Sequence, residues 1–192
     1  MREQRAVIDA DVPGAYRVCH ETGDPQPQQN PDLLGHVYAG PYLFGQRDLA
    51  RVVADDEGIA GYLFGCADTR AFEQWCEREW WPALRAQYPV ASARDADREL
   101  VQLLHEPPRS PDAVVREHPA HLHIDLLDRT RGQGYGRTLI EWLCAELAGR
   151  GIPGVHLGVG SDNENAIAFY GHLGFTALEG DDDTLWMARR LT

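Results

Sequence analysis

The stretch that decides the fold is "DRTRGQGYGRTLIEW", Asp128–Trp142. Gly132, Gly134 and Gly136 stand at every second position, Arg129, Arg131 and Arg137 surround them, and an apolar run at helical spacing follows. Just upstream, "AHLHIDLL" alternates as a strand does. A strand, a glycine-rich turn and a helix together make a place for an anion. The first amides of the helix point outward, its dipole adds partial positive charge, and glycines let a phosphate approach the main chain. An ordinary tight turn accounts for the glycines alone equally well.

Outward from this unit, "QRAVIDA" reads as a first strand and "DVPGAYRVCH" as a helix, with Asp11 as its N-cap and Pro13 in its first turn. A Pro- and Gln-rich loop leads to a short helix near Asp32–Val37. "LARVVA" and "GIAGYLFG", separated by "DDEG", form a hairpin signal. From Thr69 to Tyr88 the pattern turns helical, with Phe72, Trp75, Cys76 and Trp80 on one face, and "DADRELVQLLH" is a second helical piece. After "EPPRSPD" come strand, glycine turn, helix, the strand "GVHLGV", the helix "NENAIAFYGHLG" and a closing strand "LWMARRL". The order is β-α-α-β-β, a helical insert at about 69–118, then β-α-β-α-β. That is an α/β (α+β) chain with a mixed sheet and one βαβ unit. At 192 residues and 43% apolar composition it reads as a single domain over 1–192.

The net charge is −12, and every basic residue is arginine. Such a surface repels a nucleic-acid backbone and an anionic membrane, so neither is expected as a partner. It attracts cations. With no signal-like or membrane-length apolar segment, a cytoplasmic location is the expectation, as a monomer or homodimer. Cys19, Cys66, Cys76 and Cys144 show no C-x-x-C spacing and are expected to be reduced residues in or near the core.

The missing lysine rules out a P-loop nucleotide site. A dinucleotide fold wants G-x-G-x-x-G and two mononucleotide halves, whereas these glycines alternate and a single crossover strand follows. Coenzyme A is the remaining diphosphate. Here "RGQGYGRTLI" resembles the Q/R-x-x-G-x-G/A motif of the GCN5-related N-acetyltransferases, the GNAT superfamily, with Arg131, Gly134 and Gly136 at the motif positions. "NENAIAFYGHLGF" resembles the second signature of that family through Asn163, Ala166, Tyr170 and Leu173-Gly174-Phe175. Most of the chain, insert included, is also similar to the acetyltransferase-like C-terminal domain of the eukaryotic O-GlcNAc hydrolases. The glycine loop of that domain is degraded; here it is intact.

The resemblance implies the GNAT fold, a mixed central sheet flanked by helices with an enlarged helical insert between the third and fourth strands. It implies acetyl-CoA as co-substrate and an amine-bearing acceptor. A non-catalytic acetyl-CoA-binding or interaction module remains the alternative. By the same resemblance the coenzyme lies against Leu126, Leu127, Asp128, Arg131, Gly132, Gln133, Gly134, Tyr135, Gly136, Arg137, Asn163, Ala166 and Phe169. Tyr170 is then the group that meets the leaving thiolate. An alkyl amine with pKa ~10.4 is almost wholly charged at neutral pH, so a proton acceptor is needed. Alternate strand residues share a face, which sets His121, His123 and Asp125 together. Asp125 and His123 are the candidate bases, and Asp68 is placed to face the same cleft. H-x-H-x-D could also hold a metal, but no metal is expected. Phe72 and Trp75 are expected to pack; Trp80 and Trp81 are left open between packing and an acceptor pocket.

Overall fold

The computed structural model describes residues 2–191. Strand β1 (Glu3–Ala6) is followed by helices α1 (Val12–Thr22), α2 (Pro31–Tyr38) and α3 (Gly40–Gly45), then by the hairpin β2 (Ala50–Asp55) and β3 (Gly58–Cys66). Four helices lie between β3 and the fourth strand: α4 (Thr69–Trp75), α5 (Trp81–Gln87), α6 (Arg98–His105) and α7 (Asp112–Glu117). The chain ends with β4 (Ala120–Leu126), α8 (Tyr135–Gly149), β5 (Gly154–Gly160), α9 (Glu164–His172), β6 (Thr176–Ala177) and β7 (Thr184–Arg190). The seven strands form one mixed sheet in the order β1-β2-β3-β4-β5-β7-β6.

The hairpin turns at Gly58, whose φ of +103° lies where a side chain is strained. β3 is buried from Ile59 to Cys66, as befits a central strand covered on both faces. Its alternate residues feed two cores. Tyr62, Phe64 and Cys66 pack with α1–α6, while Leu63 packs under α8 with Leu139, Ile140, Leu143 and Leu147. Each such leucine contributes roughly 1.5–3 kcal/mol by leaving water. At Gly65 a Cβ would come within 2.4 Å of Leu143, so α8 lies directly on the strand.

The first strand is shorter than "QRAVIDA" suggests. The Asp11 carboxylate turns back to accept the Ile8 N–H at 2.8 Å and two bonds from Arg5, which ends β1 at Ala6. Asp11 therefore ties the strand end, and its side chain caps no amide of α1. The short elements α3, α7 and β6 lack a periodic signature long enough to be read in the sequence.

One break in the sheet matters most. The parallel pair β4–β5 is joined at Ala120–Val155 and His121–His156. Beyond these residues β4 stays paired with β3 as far as Leu126, and β5 stays paired with β7 as far as Gly160. Each strand follows its outer neighbour, and the two diverge.

Candidate active site

At the end of this opening sits the glycine loop. Gly132 and Gly134 have φ of +71° and +82°, and a Cβ on either would touch nothing within 4 Å. Their requirement is therefore conformational rather than spatial. Gly134 is the N-cap of α8 and offers no side chain to the helix's first amides. Those of Tyr135, Gly136 and Arg137 lie in the first turn, where a helix has no carbonyl of its own to offer and its dipole is positive. The loop is held from below. Arg129 donates to Asp55 at 2.9 and 3.3 Å, Arg2 also reaches Asp55 at 3.3 Å, and Arg2 donates to the Gln133 side-chain oxygen at 2.7 Å. Gln133 in turn donates to the Arg129 carbonyl at 2.8 Å. The hydrogen bonds from Arg129, offset by the burial of Asp55, hold that carboxyl down at about 2. Arg129 is thus an internal strut, and the exposed loop cations are Arg131, paired with Asp128 at 2.9 Å, and Arg137, 3.7 Å from Glu141.

The two sequence signatures meet in space. A Cβ on Gly136 would stand 2.9 Å from the Phe169 ring and 3.4 Å from Leu126. Asn163 caps α9, its side-chain oxygen accepting the Ala166 N–H at 3.1 Å, and this sets the helix that carries Phe169 and Tyr170. The Leu127 N–H bonds to Ala60 on the β3 side at 2.9 Å. Successive strand amides point to opposite edges, so the Leu126 N–H faces the opening left by β5.

On the other face of β4, the residues expected to act together prove unequal. Asp125 lies opposite Tyr62, and His123 opposite Phe64. The Tyr62 hydroxyl donates to Asp125 and stands 3.1 Å from His123 Nε2, which is 3.2 Å from the carboxylate. Burial alone would lower the His123 pKa, but the adjacent Asp125 charge outweighs it and holds the imidazole up at about 10. Burial works against the Asp125 charge too, yet His123 and Tyr62 keep that pKa below its ordinary value. Both shifts favour the ion pair, with His123 as imidazolium and Asp125 as carboxylate. His121, on the same face, is bonded to Thr69 and Tyr42, both at 2.8 Å. Burial, with His156 and His123 nearby, drops it to about 3, so it is neutral. The trio H-x-H-x-D is therefore not gathered at one point. Instead Cys19, from α1, joins His123 and Asp125 with donor atoms within 4.8 Å of one another.

Tyr170 is largely buried, and desolvation together with the Asp125 charge raises its phenol above the ordinary range. It therefore stays protonated at physiological pH. Asp68 has a structural partner. It is exposed, and its carboxylate accepts the Ala71 N–H at 3.0 Å as the N-cap of α4. Tyr62, Tyr42 and Cys19 were missed because their approach to β4 depends on strand register and helix docking, to which a local pattern is blind. The alternation Y-x-F-x-C on β3 matches H-x-H-x-D on β4, and that signal could have suggested Tyr62 once the two strands were paired.

Between α3–α5 and the β4–β5 opening lies a cleft of about 890 Å³. Phe72, expected merely to pack, is 8% exposed and also lines this cleft, as does Trp81. Trp80 donates its indole N–H to the His36 carbonyl at 2.9 Å and stacks on Trp75. All four cysteines are free and buried. Among the described residues no helix is long and apolar enough to cross a membrane.

Comparison with known proteins agrees with this architecture. The rat and mouse proteins named protein O-GlcNAcase are 24% identical over 178 residues, covering 88% of this chain and 19% of their own length. The chain thus spans about a fifth of these relatives. The mycothiol acetyltransferase of Nocardiopsis dassonvillei is 25% identical over 188 residues, covering 94% of this chain and 54% of the relative. Among solved structures, that of SsHAT superposes with a TM-score of 0.91 at 34% identity, over 100% of this chain and 98% of that one. The ribosomal-protein-S18-alanine N-acetyltransferase of Escherichia coli shares the fold at a TM-score of 0.56 and 18% identity, over 100% of this chain and 95% of that one. The profile of the acetyltransferase (GNAT) family matches residues 50–175, and the chain belongs to that family.

Proposed function

We infer that the chain transfers an acetyl group from acetyl-CoA to an amine, by direct attack within a ternary complex. The observation that carries this reading is the divergence of β4 and β5 beyond His121–His156, with the α8 N-terminus at its end. The residues fit the coenzyme: Gly132 and Gly134 supply the required backbone, and the first amides of α8 supply donors for a diphosphate. Acetyl-CoA, when bound, supplies an activated acyl group on sulfur.

The roles of this chain's own residues follow. The loop from Gly132 to Arg137 would grip the diphosphate, with Arg131 and Asp128 at its rim, Gln133 and Tyr135 in its wall, and Leu127 anchoring it to β3. Asn163 and Ala166 set α9 so that Phe169 closes over Gly136. The Leu126 N–H would meet the thioester oxygen as negative charge develops there; one such donor is typically worth ~3 kcal/mol. Tyr170 would hydrogen-bond the departing sulfur. Its raised pKa makes complete transfer to a thiolate near pKa ~8.5 more uphill, so it acts as a hydrogen-bond donor. Asp125 would accept the proton released by the attacking nitrogen.

A coenzyme-binding module without turnover is the second reading. The observation on its side is His123, held as an imidazolium by Asp125, which leaves the centre without a strong base. Calorimetry with acetyl-CoA, paired with release of CoA thiol across an amine panel, tests both. Binding with acceptor-dependent thiol release supports transfer. Binding with none supports the module, and no binding removes both.

A further inference from the structure

We propose that the acceptor is a neutral aromatic amine, an arylamine, held flat in the cleft between α3–α5 and the β4–β5 opening. The proposal rests on the acetyl-transfer reading above and adds to it the chemistry of the second substrate.

The walls come first. Tyr38, Tyr42, Phe72, Trp81 and Trp186 all line the cleft. Tyr42 stacks on Phe72 with ring centroids 4.7 Å apart, and Tyr38 stacks on His123 at 6.0 Å. Such surfaces favour an aromatic guest through offset or edge contacts and through loss of apolar area to water.

The charges come second. The chain carries a net charge of −12, yet among the described residues the cleft offers no unpaired carboxylate to a cation. Its lining contains two, Glu73 and Glu77. Glu73 is 19% exposed and is bonded by Arg70 at 2.8 Å and Arg109 at 3.1 Å. Glu77 is bonded by both terminal nitrogens of Arg85, at 2.8 and 3.0 Å. Arg78 and Arg109, with side chains 64% and 68% exposed, line the cleft as well, the first 3.9 Å from Glu79 and the second bonded to Glu73, so they add no net charge. Of the three lining histidines, His121 and His156 are kept neutral by burial and His123 is an ion pair with Asp125. The cleft is therefore aromatic and internally neutralised. A polyamine or a lysine side chain would lose hydration there without gaining a counter-charge.

The proton inventory agrees. An alkyl ammonium near pKa ~10.4 must lose a proton before it can attack, and only about one molecule in 2,500 is neutral at pH 7. No strong base stands ready. An arylamine, whose lone pair is delocalised into its ring, is already neutral. Its nitrogen forms a bond to the acetyl carbon and the carbon–sulfur bond breaks. The nitrogen becomes strongly acidic on attack and gives one proton to water, which relays it to Asp125 or to bulk solvent. The CoA thiolate takes one proton from solvent. The products are an aryl amide and CoA thiol, with no oxidant or reductant involved.

The test uses the full chain with acetyl-CoA and four acceptors at pH 7: 4-methoxyaniline, 4-methoxyphenethylamine, spermidine and a lysine-containing peptide. The expected result is a kcat/KM for 4-methoxyaniline at least tenfold above each of the others, with the gap to 4-methoxyphenethylamine narrowing as pH rises toward 10. In parallel, calorimetry on the CoA complex reads binding without turnover. Phe72→Leu should weaken 4-methoxyaniline binding several-fold and leave acetyl-CoA binding unchanged. If spermidine or the peptide binds more tightly or reacts faster, the arylamine proposal is overturned while acetyl transfer stands. If 4-methoxyaniline binds the CoA complex and no amine turns over, transfer falls and the aromatic-amine site survives. Failure of 4-methoxyaniline to bind overturns the proposal whatever the turnover.

Discussion

The Tyr62 hydroxyl donates to Asp125 while standing 3.1 Å from His123 Nε2, closing a three-residue ring of contacts on one face of β4. Burial lowers the His123 pKa less than Asp125 raises it, so the folded value climbs from 6.5 to about 10. A raised pKa stabilises the fold fully below the unfolded value and ceases to do so as pH rises through the folded one. The pair should therefore stabilise the protein at neutral pH and lose that contribution near pH 10. His123→Gln is expected to be weaker by about 2–3 kcal/mol at pH 7, between the values for an exposed and a fully buried pair because the side chains are partly exposed. Urea titrations at pH 7 and 10.5 read this directly: the difference between the two proteins should shrink at the higher pH. A constant difference would dismiss the ion pair.

Tyr170 supplies a separate test of the chemistry. Tyr170→Phe keeps the ring against Phe175 and removes the hydroxyl. Losing a hydrogen bond to a charged group costs ~1.5–3 kcal/mol, so kcat should drop roughly ten- to a hundredfold. Acetyl-CoA affinity should hold within about twofold if the bond forms mainly to the departing sulfur. Steady-state kinetics beside calorimetry separates the two quantities, and an unchanged kcat would remove Tyr170 from the reaction.

The glycine loop predicts the opposite pattern. At Gly134, φ +82°, any side chain carries a backbone penalty of ~1–2 kcal/mol although space is open. Gly134→Ala should cost about that much stability. Gly134→Asp adds a negative charge at the α8 N-terminus and should weaken acetyl-CoA binding more than tenfold beyond the alanine variant. Equal binding by the two variants would show that the diphosphate lies elsewhere.

Asp55 tests the strut under the loop. Its carboxyl is held at about 2 chiefly by hydrogen bonds from Arg129. A lowered pKa stabilises the fold above the unfolded value, 3.8, and that contribution disappears as pH falls through about 2. Asp55→Asn should destabilise by ~1.5–3 kcal/mol at pH 6. Thermal melts at pH 6 and pH 2.5 should show the wild-type advantage shrinking on acidification. An advantage that persists undiminished at pH 2.5 would exclude the carboxylate as its source.

Much of this protein is local in origin. The alternation of "HLHIDLL", the hairpin around Gly58 and the positive-φ glycines before α8 are each set by neighbours a few residues away, and each stands where the sequence places it. What the side chains do is another matter. Asp68 reads in the sequence as a strand-end carboxylate, and in the fold it meets the amide of Ala71, three residues on, and caps a helix. His121 and His123 share a strand face and a residue type, and their pKa values lie at about 3 and about 10. The difference comes from burial and from partners brought in by folding: Tyr42, Thr69 and His156 around one ring, Asp125 and Tyr62 around the other. Backbone conformation is a short-range property and can be read along the chain. Charge state is set by desolvation and by the nearest opposite charge, and those are known only once distant segments have packed.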